Sequence, residues 1–94
     1  MEFEWDEAKA AANVEKHGIT LEEAIPIFFD NRSETVEDRR WSYGEARFVT
    51  TGYLKDRLFV VVHTPRHGAT RIISARRANA RERRRYGEDR PGHG

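Results

Sequence analysis

The sequence predicts an α+β domain: two N-terminal helices packed on a three- to four-stranded antiparallel sheet, with a short C-terminal helix. Three observations predict it. Residues 6–29 carry capped segments of helical period, residues 34–77 carry β-branched runs broken by turn residues, and an N-x-x-E cap at residue 79 opens an arginine-dense stretch. A chain of 94 residues with 37% hydrophobic content has apolar material for one small core and no second one. Residues 1–86 are therefore expected to form a single domain and residues 87–94 a flexible tail.

Phe3, Glu4 and Trp5 suit a short strand, and Asp6 is placed to cap a helix that runs to Gly18, a natural left-handed stop. Lys9, Asn13 and His17 recur at i, i+4 and i+8 and so share a face, while Ala8, Ala11 and Ala12 offer a small-residue packing side. A second helix is expected at once: Thr20 and Glu23 form a capping box, and LEEAIPIFF supplies its apolar face. Pro26 predicts a bend or a loosened first turn there, because it cannot donate to the carbonyl four residues back.

From residue 31 the texture changes. SETVED suits a short strand, DRRWSYGE a loop, and ARFVTTGY, RLFVVVHT and ATRIISA three strands separated at residues 54–56 and 65–68, which makes an antiparallel meander. LFVVV, apolar throughout, predicts a central strand buried on both faces. Asn79 and Glu82 then make a capping-box pattern before a short helix that ends at Tyr86 and Gly87.

Without cysteine, the chain has neither a disulfide framework nor a thiolate nucleophile. No apolar run approaches the ~18 residues of a membrane span, and the acidic start MEFEWDEAKA is unlike a secretory signal, so a cytoplasmic location without membrane contact is expected. The formal charge of +1 conceals an asymmetry. Residues 1–45 carry 12 Asp/Glu against 5 Lys/Arg, and residues 46–94 carry 12 Lys/Arg against 4 Asp/Glu. A basic face in a near-neutral protein points to a polyanionic partner.

The arginines concentrate at positions 76, 77, 81, 83, 84 and 85. Guanidinium groups suit phosphate because the planar fork donates bidentately and stays charged, and on one short helix Arg77, Arg81, Arg84 and Arg85 would fall near one face. The alternative is a solvated helix paired with the acidic N-terminal half. His63, at the end of the central strand, has the chemistry of a general acid or base, or else is a strand-end histidine bonded to its neighbours; Arg71 and Arg76 on the next strand would share its face. Glu82 is first a cap partner and second a catalytic candidate. Tyr86 and Trp41 have rings that can stack on bases or plug a core. The four histidines show no metal-ligand spacing, and there is no P-loop or G-x-S-x-G, so neither a metal nor a cofactor is expected.

Two stretches together are more specific than any of these parts. F-x-W-D-x-x-K-x-x-x-N-x-x-K-H-G at residues 3–18 and R-I-I-S-A-R-x-A-x-x-x-E-R at residues 71–83, with LEEA, FFD and GEARFVTTGY between them, resemble the BrnT family, toxins of type II toxin–antitoxin systems. The resemblance covers residues 2–86. It implies a RelE-like fold and a small ribonuclease, held in check by a BrnA-like ribbon-helix-helix antitoxin that itself carries the contact with operator DNA. It further implies metal-independent cleavage by attack of a ribose 2′-OH on the adjacent phosphate, which needs a base, cationic donors and an acid. On that reading Arg71 and Arg76 hold the phosphate and His63 serves as acid or base. Arg47, Arg77, Arg81, Arg84 and Tyr86 bind substrate, with Glu45 and Glu82 in reserve. Lys9, Asn13, Lys16 and His17 match the family's helix motif and serve catalysis, folding or antitoxin contact. The rival readings are a non-enzymatic binder of the gyrase-poison kind and a co-repressor domain.

Overall fold

The computed structural model describes residues 1–40 and 44–87, in the order β1 (Phe3–Glu4), α1 (Glu7–His17), a 3₁₀ segment (Glu22–Phe29), β2 (Glu34–Glu37), β3 (Phe48–Leu54), β4 (Arg57–Arg66), β5 (Ala69–Arg77) and α2 (Ala80–Tyr86). The strands form one five-stranded sheet ordered β1-β5-β4-β3-β2. β2, β3, β4 and β5 pair antiparallel, but β1 lies parallel to β5, with Phe3 opposite Thr70 and Glu4 opposite Arg71.

This corrects the expected RelE-like arrangement of two helices on a three- to four-stranded antiparallel sheet. The sheet has five strands and is mixed, and one N-terminal α-helix forms, not two. The missing helix is the 3₁₀ segment. Both capping-box bonds are made, Thr20 N–H to Glu23 Oε1 at 2.8 Å and Glu23 N–H to Thr20 Oγ1 at 2.9 Å, yet Pro26 within the segment clashes with α-helical winding and removes a donor. The extra strand arises because β1, only two residues long, finds its partner almost seventy residues away, beyond the reach of any local pattern.

The core lies on one face of the sheet, where Ile19, Leu21, Ala24 and Ile27 meet Phe59, Val61, Ile72 and Ala75. Alternation along β4 turns Phe59 and Val61 to this covered face and Leu58 and Val60 to the other, so the strand is buried on both sides. On that other face Leu58, Val60 and Ala78 form a smaller cluster with Val49, Tyr53 and Tyr86, and α2 covers only part of it.

α1 begins on its predicted cap, with the Asp6 carboxylate accepting from Lys9 N–H, and ends at Gly18 with φ 72°. The packing side is not the expected one: Ala8, Ala11 and Ala12 are exposed, and the one buried residue of the helix is Asn13. Its amide donates to the carbonyls of Ile19 and Ala75, each at 2.9 Å, and accepts from Ala75 N–H at 3.1 Å. One side chain thus ties α1, the chain leaving it and β5. The hairpins close through tight turns at Lys55–Asp56 and His67–Gly68, each with positive φ at both positions. Pro65, expected in a turn, lies in β4 opposite Thr70.

Candidate functional site

The sheet face opposite the main core is left partly open, and there a groove of about 370 Å³ runs between α2 and the chain that leaves β2. Its floor is Val49, Val60 and Val62. One wall is formed by Arg39 and Arg40, the other by Arg76, Glu82 and Arg85. The register explains the second wall, because Arg76 pairs with Val60 and so points to Val60's face. The capping box then turns α2 back over the sheet: Asn79 Oδ1 accepts from Glu82 N–H and Glu82 Oε1 accepts from Asn79 N–H, both at 2.8 Å.

Glu82 does a second thing. Its carboxylate receives the Arg76 guanidinium end-on, Nη1 to Oε1 at 2.8 Å and Nη2 to Oε2 at 2.9 Å. The Arg76 hydrogen bond is the largest cause that pushes Glu82 down to about 2, and the same bond raises Arg76 further above its usual value. Across the groove, Arg40 lies close enough to oppose that rise, and its own fork is spread on Asp38 at 3.0 and 3.1 Å. The groove therefore presents planar cations held in orientation by carboxylates, the geometry that a phosphate would take over.

Tyr86 fixes the far end of α2. Its hydroxyl lies 2.6 Å from the carbonyl of Arg32 and 2.9 Å from that of Thr51, so the O–H is shared between them. Its ring meets Tyr53 edge-on at 6.2 Å, and the Arg32 guanidinium stacks 3.9 Å over the Tyr53 ring. Burial is the main cause that pushes the Tyr86 phenol up to about 12, so it stays protonated. Tyr86 thus lines the groove while serving as an anchor.

The expected catalytic trio does not converge. His63 is buried on the covered face, 4.9 Å from the Phe28 ring and stacked on Phe48 at 6.1 Å, with Nε2 bonded to Thr50 Oγ1 at 2.7 Å. Burial pushes its imidazole down to about 4. The physical reason for the separation is phase. His63 follows Val62 and points the other way, and a bulge in the pairing at Val62/His63 leaves it opposite Ile72 of the core. Arg71 lies near the opposite end of β5 from Arg76, its Nε on Glu4 Oε2 of β1 at 2.8 Å. Five positions along a strand span roughly 16 Å, so the two arginines cannot grip one phosphate.

The helix-face grouping also changes. Arg77 is the last residue of β5, not part of α2, and it turns to the covered side, where it lines a different hollow. Arg81 and Arg84 are exposed on α2. Arg47 stands before β3 with Glu45 3.5 Å away, and its carbonyl accepts from Asp38 N–H at 2.8 Å, which places it beside the groove's first wall. Lys9, Lys16 and His17 are exposed on α1. Trp41 lies outside the described residues. Arg39 and Arg40 are the groove residues that the sequence reading passed over. Their signal was the E-D-R-R run, whose acids two positions before each arginine are its partners: Glu37 for Arg39 at 2.8 Å and Asp38 for Arg40 at 3.0 Å.

Among the described residues no group of three or more His, Asp or Glu side chains is placed to hold a metal ion, and no helix is long and apolar enough to cross a membrane. A family model described as "Ribonuclease toxin, BrnT, of type II toxin-antitoxin system" matches residues 5–82, a span that holds Arg39, Arg40, Arg76 and Glu82. No curated protein matches the chain.

Proposed function

We propose that this chain, which belongs to the BrnT family of ribonuclease toxins of type II toxin–antitoxin systems, cuts RNA in the groove between α2 and the open sheet face. The observation that carries this reading is the end-on, two-bond pair of Arg76 and Glu82 on the groove wall, facing Arg40. A phosphodiester entering the groove meets a guanidinium fork already aimed into it and competes with Glu82 for that fork. As Arg76 turns to the phosphate, the Glu82 carboxylate loses the contact that depresses it most and becomes a stronger base.

In the step itself the ribose 2′-oxygen attacks phosphorus, its proton passes to Glu82, and the bond from phosphorus to the 5′-oxygen breaks, leaving a cyclic phosphate. The departing oxygen takes its proton from water, which the open groove admits. Arg76 and Arg40 supply the positive charge for the five-coordinate phosphate, so the reaction proceeds without a divalent ion. His63 belongs to the core in this reading, and Arg71, Arg81 and Arg84 follow the RNA backbone beyond the groove.

The family implies an antitoxin partner. We read that partner as a BrnA-like ribbon-helix-helix protein that alone carries the operator-DNA contact. Residues 1–86 act as one toxin domain in the cytoplasm, where the RNA is.

The test is cleavage of single-stranded RNA by the purified chain, with 3′-end analysis, RNA affinity and Tm for each variant. Arg76→Lys keeps the charge but loses the fork, and its cleavage rate should fall by roughly 10²-fold. Glu82→Gln keeps the cap acceptor but cannot take the proton, and it should cleave slowly while RNA affinity holds or rises. A chelator should leave wild-type cleavage unchanged. Wild-type rates in both variants would place the chemistry elsewhere, and intact RNA in every reaction would favour the gyrase-poison or co-repressor reading.

A further inference from the structure

On the covered side of the sheet, away from the groove, a second hollow of about 480 Å³ opens where His17 at the end of α1, Pro26 of the 3₁₀ segment, Lys55 and Arg57 of the β3–β4 hairpin and Arg77 of β5 come together. Its inner surface is apolar: Ile19 and Phe59 are buried, and Leu54 is half-buried. Its rim is basic, with Glu23 the one carboxylate in its lining.

The two basic surfaces differ in how their charge is held. In the groove, Arg39, Arg40 and Arg76 each rest on a carboxylate of their own neighbourhood, and Arg85 faces the Glu82 carboxylate at longer range. Among the described residues, no carboxylate pairs with Arg57 or Arg77. Lys55 acts on Glu23 within the rim, while Arg57 and Arg77 are left to what enters, and cations around an apolar floor suit a ligand that brings negative charge and one apolar group together. The floor also offers no open aromatic face on which a base could stack, because Phe59 is only 9% exposed.

We propose that this hollow docks an acidic segment of the antitoxin, one bulky apolar side chain seated over Ile19, Leu54 and Phe59 and flanking carboxylates on Lys55, Arg57 and Arg77. The inference rests on the reading of the chain as an antitoxin-bound toxin. A buried apolar anchor ringed by charge is the usual pattern of a small protein–peptide contact, in which the anchor holds and the charges steer. Because the site lies on the other side of the sheet from the groove, the antitoxin can hold the toxin here while another of its parts, or none, reaches the RNA site.

The experiment titrates the full isotope-labelled chain with three probes and follows backbone amide shifts. The probes are a glutamate-rich peptide with one central phenylalanine, the same peptide with serine in its place, and a single-stranded oligouridylate. The phenylalanine peptide should shift amides at residues 17–19, 54–57 and 77 and leave those at 76, 82 and 85 in place. The serine peptide should bind about tenfold more weakly or worse, since the anchor carries most of such contacts. Lys55→Glu and Arg57→Glu, both at exposed positions, should abolish peptide binding without changing Tm or the rate of RNA cleavage. The proposal is overturned if the peptide shifts the groove amides or none at all, if serine serves as well as phenylalanine, or if oligouridylate moves the hollow amides as strongly as the peptide. Peptide docking here in a chain that leaves RNA intact would sink the nuclease reading and uphold this one. Cleavage with no peptide docking would do the reverse.

Discussion

His63 stands one position out of phase with the valines of the groove floor, and that single step decides its chemistry. On the covered face it is 8% exposed, and burial holds its imidazole at about 4 against an ordinary 6.5. The folded chain therefore binds fewer protons than the unfolded chain between those two values. Stability must rise with pH through that window and fall away as pH drops from about 6.5 toward 4, by as much as about 3 kcal/mol. Glu82 has the same sign in a lower window: its depressed carboxyl contributes stability that is present above its ordinary value of 4.5 and is lost only as pH falls toward 2. Above about pH 5 the two effects separate. The Tm of the wild type should drop between about pH 7 and pH 5, and His63→Phe, which keeps an aromatic ring against Phe28 and Phe48, should flatten that slope while RNA cleavage persists. A variant as steep as the wild type would show that the proton is taken up elsewhere. Asn13 teaches the same lesson from the other side. The sequence put it on a polar stripe with Lys9 and His17, but a side-chain amide that donates and accepts is what the bare backbone of Ala75 requires.

At the scale of elements, the 3₁₀ segment shows how far local signals reach. Thr20 and Glu23 announce a helical start, and it appears; Pro26 announces a bend or a loosened first turn, and instead the whole of Glu22–Phe29 winds as one continuous 3₁₀ segment. Pro26 excludes α winding, and how closely the resulting 3₁₀ segment can approach β3 is set by Gly52. A Cβ at Gly52 would lie 3.0 Å from Ile27 Cγ2, from the Ile27 carbonyl oxygen and from Ser33 Cβ. Two of these neighbours are not the free end of a flexible side chain, so the segment would have to move. Gly52→Ala should destabilise the chain by about 1–3 kcal/mol, the usual cost of overpacking, seen as a lower denaturant midpoint with an unchanged m-value. A neutral effect would mean that the 3₁₀ segment shifts outward freely, and its contact with β3 would then carry little of the fold. The edges of the sheet were legible only in part. β2 lies where SETVED predicts a strand, whereas β1 is too short to show a period and its parallel pairing with β5 is a long-range event.

For the whole molecule, the charge asymmetry read from the sequence turns out not to cancel across the fold. Among the described residues most ion pairs are local, between residues at most six positions apart; Glu45–Arg47 crosses from the acidic first half to the basic second half only at their boundary, and Glu4–Arg71 joins the two halves over a long range. The basic half thus keeps most of its charge for solvent or a partner, and Arg81 and Arg84 are exposed on α2. RNA affinity should fall linearly on a log–log plot against salt, and Arg84→Gln should make that line shallower by roughly 0.7 if the side chain neutralises one phosphate of a single strand. An unchanged slope would remove α2's outer face from the RNA path. The amino-acid sequence by itself determined the family, the helix caps, the neighbourhood of the two hairpin turns and the alternation along the longer strands, because these follow from backbone preferences and patterns spanning a few residues. Only the tertiary structure decided which face is covered, and so that Arg76 and Arg77, neighbours in the chain, serve opposite sides, that His63 is a core residue, and that Glu82 both caps α2 and holds Arg76. Alternation says that adjacent side chains point apart. What each one meets is set by register, by a bulge and by the elements that pack on either face, and those are contacts between residues far apart in the chain.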